Sequence, residues 1–143
     1  NKEEEKEILR GQISPNKQTM SPVIKPQDII HAREVVKEVY IDSKIENYIT
    51  DIVFATRFPE EYGMNNLKSF ISYGASPRAT INLALASRAL AFIKRRGYVI
   101  PEDVREVCLD VLRHRIGLTY EAEAENIKSE DIATEIVNKI DVP

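Results

Sequence analysis

The stretch "SYGASPRATINLALASRALAF", residues 72–92, decides the fold. Ser76 and Pro77 mark a helix start, because serine is a favourable N-cap residue and proline suits the first helical position. The residues that follow are mostly apolar and cover most of the helix circumference up to Ile93. A helix that is apolar on most sides is normally buried among others. The sequence therefore predicts a central helix over 76–96, around which other helices pack.

Arg78 is unusual in the first turn of this helix. A cation there faces the positive end of the helix dipole, which disfavours it by up to ~1 kcal/mol. A phosphate ligand would explain it, because free N–H groups and a guanidinium both favour an anion, and Gly74 and Ala75 would let it approach closely. The alternative is a solvated arginine that lies over the preceding loop or pairs with Glu60 or Glu61. Since most exposed arginines bind nothing, the residues alone favour the alternative slightly.

Apolar residues recur with helical spacing in most of the remaining chain. A short polar helix is predicted at 2–10, with only Ile8 and Leu9 to bury, and the three prolines of 12–26 indicate an extended linker. Amphipathic helices are predicted at 28–39, 43–57, 101–115 and from 129 onward, each with one apolar stripe. The predicted fold class is all-α: a small bundle of about five helices around the central apolar helix.

Three of these helices share one pattern at their start. The segments are "VIKPQDII" (23–30), "YVIPEDVR" (98–105) and "NIKSEDIA" (126–133). In each segment Pro26, Pro101 or Ser129 begins the helix, and Asp28, Asp103 or Asp131 lies in the first turn. A carboxylate there has the favourable sign for the helix dipole. Arg78 is therefore a cation where the other helices carry an anion.

The segments between the helices give weaker signals. Residues 97–100 and 118–120 are rich in β-forming residues, and we expect them to pair as a short ribbon. Residues 58–73 are predicted to be a loop. The run "EAEAE" at 121–125 indicates a solvated linker face, with docking on a neighbour's basic patch as the alternative.

Composition excludes several classes of function. A net charge of −3 gives no general reason to expect nucleic acid or a membrane as partner. The single cysteine, Cys108, lies on an apolar stripe, which indicates a buried inert thiol and suits a reducing compartment such as the cytoplasm. His31 and His114 lie 83 positions apart without nearby ligands, so no metal site is predicted.

Two basic clusters end helices. Lys94-Arg95-Arg96 precedes Gly97 and Arg113-His114-Arg115 precedes Gly117, which favours helix capping for both clusters. Contacts of 94–96 with another subunit or with nucleic acid are the alternative, as are contacts of 113–115 with a nucleotide or a neighbouring subunit.

The motif "GASPRA" (74–79), followed by "RHRI" (113–116) and "YEAEAE" (120–125), resembles the C-terminal helical lid of the MoxR family of AAA+ ATPases. The likeness runs from about Val23 to Ile140. The resemblance implies a lid domain at 23–143, preceded at 1–22 by a segment and linker that leave a nucleotide-binding core. That core would lie upstream of Asn1, and we expect the chain to be a fragment of a larger protein.

The family likeness also implies a role for Arg78. It would be the sensor 2 residue, which reaches the γ-phosphate of ATP in the assembled enzyme, with Gly74, Ser76 and Pro77 shaping its turn. ATP and Mg²⁺ would be cofactors of the full-length protein. The sequence contains no G-x-x-x-x-G-K-[ST] phosphate loop, so we expect this chain alone to hydrolyse no ATP and to need no cofactor.

The implied partners are its own core and other copies in a homo-oligomeric ring, in a chaperone-like machine that remodels client proteins. The rival hypothesis is a free-standing helical adaptor that binds proteins and no nucleotide. A DNA-binding helix-turn-helix is disfavoured, because no predicted helix has a dense basic face.

Overall fold

The computed structural model describes residues 1–13 and 21–143, which form two compact units, Asn1–His31 and Ala32–Pro143. The first unit contains α1 (Lys2–Ile13) and the start of α2 (Pro26–Lys37). Both helices confirm predictions, but the expected burial of Ile8 and Leu9 is wrong, since both are exposed. The predicted linker of 12–26 lies largely at 14–20, outside the described residues, and the boundary at 22/23 stays a prediction.

The second unit is a small helical bundle, as predicted. Its core consists of apolar side chains from four helices and their neighbours, and includes Ile52, Leu83, Val104 and Ile136, all fully buried. The elements that follow α2 are α3 (Ser43–Ala55), β1 (Ile71–Tyr73), α4 (Pro77–Ile93), α5 (Pro101–Leu112), β2 (Gly117–Leu118), α6 (Tyr120–Ala124) and α7 (Ser129–Lys139). Two short 3₁₀ turns, Pro59–Tyr62 and Asn65–Leu67, lie between α3 and β1.

The apolar helix predicted at 76–96 is α4, which packs against α3 and α5. Its buried face consists of mostly small residues: Ala79, Leu83, Ser87 and Ala91. The expectation that it is buried on most sides is wrong, because Ile81 and Leu85 are 60% and 47% exposed. The small residues let α3 and α5 approach one side closely, and the larger side chains lie on the opposite side.

The helix predicted at 28–39 also differs in its burial. None of the residues of α2 is buried, and Ile29 and Ile30 are exposed. Only Val39, which follows the helix, reaches the core. An amphipathic pattern in the sequence thus corresponds here to a helix without a buried stripe.

The predicted ribbon exists, but its predicted pairing is wrong. Strand β1 pairs antiparallel with β2, with Ile71 opposite Leu118. Residue 98 instead makes an isolated parallel bridge with Tyr40, whose N–H donates to the Gly97 carbonyl at 2.9 Å. The partner of β2 thus comes from 58–73, which was predicted to be a loop.

The run "EAEAE" is helical where a linker was predicted. It forms most of α6, which begins after Thr119, whose hydroxyl accepts from the Ala122 N–H at 3.3 Å. Ala122 is fully buried while the glutamates around it are exposed. One alanine therefore anchors this acidic helix to the core.

The starts of α2, α5 and α7 have the predicted aspartate in their first turn, and in each of them the aspartate also makes a hydrogen bond that the sequence did not predict. Each carboxylate accepts a hydrogen bond from the backbone N–H three residues earlier, which is half of a capping box. The three bonds are Lys25 N to Asp28 at 2.8 Å, Ile100 N to Asp103 at 3.1 Å and Lys128 N to Asp131 at 2.9 Å.

The cluster 94–96 ends α4, as predicted, and also fixes α4 to α5. The Arg96 N–H donates to the Ala91 carbonyl at 2.9 Å, and its guanidinium makes a two-pronged ion pair with the buried Asp103 carboxylate. The predicted glycine cap at Gly97 is wrong, because Arg95 is the residue with a positive φ, 58°. Lys94 adds an ion pair with Glu106.

The predicted capping role of the cluster 113–115 at the end of α5 is confirmed. The Arg115 Nε donates to the Val111 carbonyl at 2.9 Å, and Arg113 pairs with Asp110. On the same helix Cys108 is fully buried, and burial raises its thiol pKa to about 12, which agrees with an inert thiol.

We predict that Asp103→Asn lowers the free energy of unfolding by about 2 kcal/mol at pH 7, because a neutral amide binds the partly exposed Arg96 guanidinium more weakly than the buried carboxylate does. Burial raises the pKa of Asp103, but the Arg96 guanidinium, the Ile100 N–H and Lys94 together lower it below its ordinary value of 3.8. The stabilisation is therefore complete above the unfolded-state pKa and is lost as the pH falls through the lower folded-state pKa.

Urea unfolding of the unmodified protein and of Asp103→Asn between pH 7 and pH 2 measures the difference in their free energies of unfolding. The matched control is Asp131→Asn, which alters the same helix position without a buried ion pair and should cost about 1 kcal/mol. Equal effects of the two substitutions at pH 7 would contradict the assignment.

Candidate functional site

The turn that leads into α4 is held by Thr56, at the end of α3. This threonine is fully buried, and its hydroxyl donates to the Val53 carbonyl at 2.7 Å and accepts from the Ala75 N–H at 2.8 Å. The hydroxyl thus donates one hydrogen bond within the end of α3 and accepts one from the turn, which joins the two segments. Thr56 falls on the apolar stripe of the helix predicted at 43–57, and a polar residue on such a stripe is the signal that the sequence offers for it.

Gly74 packs directly against the same helix end. A Cβ on Gly74 would lie 2.3 Å from the Thr56 carbonyl oxygen and 2.7 Å from the Cγ of Arg57. The residue must therefore be glycine because the backbone of α3 occupies that space. This corrects the expectation that the missing Cβ of Gly74 leaves room for a phosphate, whereas the role of Gly74 in shaping the turn for Arg78 stays a prediction.

Ser76 and Pro77 occupy the predicted N-cap and first helical positions. Ser76 has extended backbone angles (φ −75°, ψ 167°), but its side chain makes no capping hydrogen bond. Its carbonyl accepts from the Ala79 N–H at 2.8 Å, and Pro77 has no N–H to offer. This helix start therefore presents fewer free N–H groups than an ordinary one, so the charge at this position comes mainly from Arg78.

Arg78 is exposed at the N-terminal turn of α4. Within residues 1–13 and 21–143, its guanidinium has no ion pair. The sequence offered Glu60 and Glu61 as alternative ion-pair partners of Arg78. The Glu60 carboxylate instead pairs with the Lys68 Nζ at 2.7 Å, so the predicted Arg78–Glu60 pair is wrong. Glu61 is exposed and makes no ion pair within the same ranges. The side chain is thus a cation that stands in solvent at the end of the helix, on a turn that the core fixes in place.

The described part of the chain sets limits on the chemistry of this site. It contains no group of three or more histidine, cysteine or acidic side chains that could hold a metal ion. None of its helices is long and apolar enough to cross a membrane. What the site can do is contact an anion through one guanidinium.

Comparison with known proteins adds a second kind of evidence. Residues 65–136, half of the chain, match the family model described as AAA lid domain. The chain is 39% identical over 142 residues to Chaperone MoxR1 of Mycobacterium tuberculosis, a match that covers 99% of this chain and 37% of that protein. It is 36% identical over 126 residues to the uncharacterized protein YeaC of Bacillus subtilis, covering 88% of this chain and 37% of that protein.

A solved structure, that of a candidate ATPase of Cytophaga hutchinsonii, superposes on the whole chain with a TM-score of 0.90 and 42% identity, and the match covers 44% of that protein. The chain thus spans less than half of the length of these relatives.

We predict that Gly74→Ala destabilises the protein by about 2 kcal/mol or more, because the new methyl group overlaps backbone that cannot move aside. The matched control is Gly97→Ala, where a Cβ meets nothing within 4 Å and φ is not positive. Thermal unfolding of both variants measures the difference. A Gly74→Ala protein as stable as the Gly97→Ala protein would show that the turn is not held as described.

Proposed function

This chain belongs to the AAA lid domain family, as the lid of a MoxR-family AAA+ ATPase, and we propose that Arg78 is the residue through which the lid senses bound ATP. In this proposal Arg78 acts as sensor 2: its guanidinium reaches the γ-phosphate of an ATP held by the core domain of the same protein. There it neutralises the charge that develops on the phosphoryl oxygens during transfer.

The exposure of Arg78 at the start of α4 is the single observation that carries the proposal. A guanidinium that makes no ion pair within the described residues is available to a ligand, and an arginine can bind phosphate with two hydrogen bonds. The contacts of Thr56 and Gly74 hold the turn in place before any nucleotide binds, so the backbone that carries Arg78 needs little ordering on binding.

The same contact would couple nucleotide state to the position of the lid. Loss of the γ-phosphate on hydrolysis removes one lid–core contact, which lets the lid reorient, as in other domain-closure switches. We infer that ATP and Mg²⁺ are the cofactors of the whole protein and that its partners are its own core and further copies in a ring. The whole protein would work in the cytoplasm as a chaperone-like remodelling machine, with client proteins that the sequence does not identify.

The rival hypothesis of a free-standing adaptor lacks such support. The matches to longer relatives, of which this chain spans less than half, favour a domain that works with others.

We predict that Arg78→Ala, in the longer protein that joins this lid to its core, lowers ATP turnover about a hundredfold, the loss typical for one charge-stabilising group. It should also weaken the binding of a non-hydrolysable ATP analogue more than that of ADP, because only the former has a γ-phosphate. Phosphate release and nucleotide titrations measure the two effects.

The matched control is Arg95→Ala, which removes an exposed arginine from the opposite end of α4 and should leave turnover unchanged. Circular dichroism melting checks that both variants fold, since Arg78 supports no core contact. Turnover within twofold of the unmodified protein in Arg78→Ala would contradict the sensor role. The 143-residue chain incubated alone with Mg²⁺ and ATP should release no phosphate above background.

A further inference from the structure

A small polar pocket lies beside the turn, on the side of Gly74. It has a volume of about 210 Å³, and its polar lining comes from the ends of α3 and of the second 3₁₀ turn, from the first 3₁₀ turn, and from β1 with the glycine after it. We call it the turn pocket, and the residues that matter for its chemistry are Arg57, Glu60, Lys68, Ser72, Tyr73 and Gly74. Sequence reasoning did not single it out, because its residues come from four separate segments.

Among the charged side chains of the turn pocket, Lys68 and Glu60 form an ion pair, and the positive charge of Arg57 is not balanced by it. The Lys68 Nζ lies 2.7 Å from the Glu60 Oε1, and this hydrogen bond lowers the pKa of Glu60, so the carboxylate stays ionised. These two charges compensate one another. The positive charge of Arg57 has no acidic partner in the part of the chain that the structure describes.

Two residues that line the turn pocket also carry a buried polar atom without a hydrogen-bond partner within the described residues. The two atoms are the Nε of Arg57, a donor, and the Oε2 of Glu60, an acceptor. Buried polar groups are nearly always paired, so each unpaired one needs an explanation. A pocket with one unused donor and one unused acceptor is suited to a ligand that offers both an acceptor and a donor.

The Arg57 side chain is already fixed in its position. Its guanidinium carbon lies 4.8 Å from the centroid of the Phe54 ring, and its Cγ packs against Gly74. The Phe54 ring is in turn packed on Phe58, with centroids 4.9 Å apart. A ligand would therefore meet a preorganised cation and would pay little of the usual side-chain ordering cost.

The unused atoms discriminate between a phosphate and a polypeptide as the ligand. A fully ionised phosphate group offers acceptors only, so it would leave the Glu60 oxygen unpaired. A polypeptide offers backbone N–H donors together with carboxylate acceptors. We propose that the turn pocket is a docking site for an acidic polypeptide segment, whose carboxylate accepts from Arg57 and whose backbone N–H donates to Glu60.

The partner in this proposal is an acidic segment of the core domain, so the inference rests on the proposed function. Docking there would hold the outer side of the Gly74 turn while Thr56 holds its inner side. Both contacts act on the backbone a few residues before Arg78. The docked segment would thus fix the direction in which Arg78 is presented, in addition to any contact that Arg78 itself makes with nucleotide.

Photo-crosslinking in the longer protein tests the proposal. A p-azidophenylalanine replaces Tyr73, which lines the turn pocket and is exposed, and mass spectrometry identifies the crosslinked residues. A second azido protein carries the label at Tyr98, an exposed tyrosine at the other end of α4, about 25 Å away for a helix of this length. We expect the Tyr73 label to crosslink to a core segment that contains aspartate or glutamate.

The dependence on charge is tested by variants. Arg57→Gln should lower the Tyr73 crosslink at least fivefold and leave the Tyr98 products unchanged, whereas Arg95→Gln should change neither. If Arg57→Gln does not fold, Ser72→Glu serves instead: a negative charge on the exposed rim should repel the acidic segment, while Ser72→Gln, of the same size, should not.

Three outcomes would overturn the proposal. They are the absence of a Tyr73 crosslink, a crosslink that Arg57→Gln leaves unchanged, and a crosslink that millimolar inorganic phosphate abolishes, which would make the pocket a phosphate site. Failure here is distinguishable from failure of the sensor role, because Arg78→Ala should leave the Tyr73 crosslink intact in the presence of ADP.

Discussion

The hydroxyl of Thr56 is the contact on which the geometry of the site depends. It ends α3 by donating to the Val53 carbonyl, and it positions the start of α4 by accepting from the Ala75 N–H. Because Gly74 packs against the carbonyl of the same threonine, the backbone that ends α3 touches the backbone of the turn before α4. At the opposite end of α4, the ion pair of Arg96 with Asp103 fixes the helix to α5. The helix is thus held at both ends, and Arg78 extends from a rigid element, as the proposed sensor role would require.

The sequence predicts the local features of this fold well. The starts of α2, α5 and α7 follow from proline or serine and an aspartate within four residues, and the start of α4 follows from Ser76-Pro77, because these signals act within one helical turn. The roles of 94–96 and 113–115 at helix ends follow from the same short-range physics. The family likeness of "GASPRA" is the basis for the proposed role of Arg78, since local physics alone slightly favours a solvated arginine.

The features that sequence reasoning missed all depend on contacts between distant segments. The partner of β2 comes from 71–73, and neither strand has a length or pattern that selects the other. Position 74 must be glycine because of the backbone of residue 56. The turn pocket combines residues that are up to 17 positions apart, from Arg57 to Gly74. The exposure of Ile81 and Leu85 could not be inferred either, since composition shows that a helix is apolar but not how many neighbours surround it.

The two-sided character of α4 has an evolutionary consequence. The small residues Ala79 and Ala91 are fully buried, whereas the large Ile81 and Leu85 are exposed, so the side chains that maintain the bundle differ from those that the helix displays. Selection can therefore act on the two sets separately. The displayed side chains are free to diverge among descendants of this domain at little cost to folding, while each buried alanine leaves almost no room for a larger replacement.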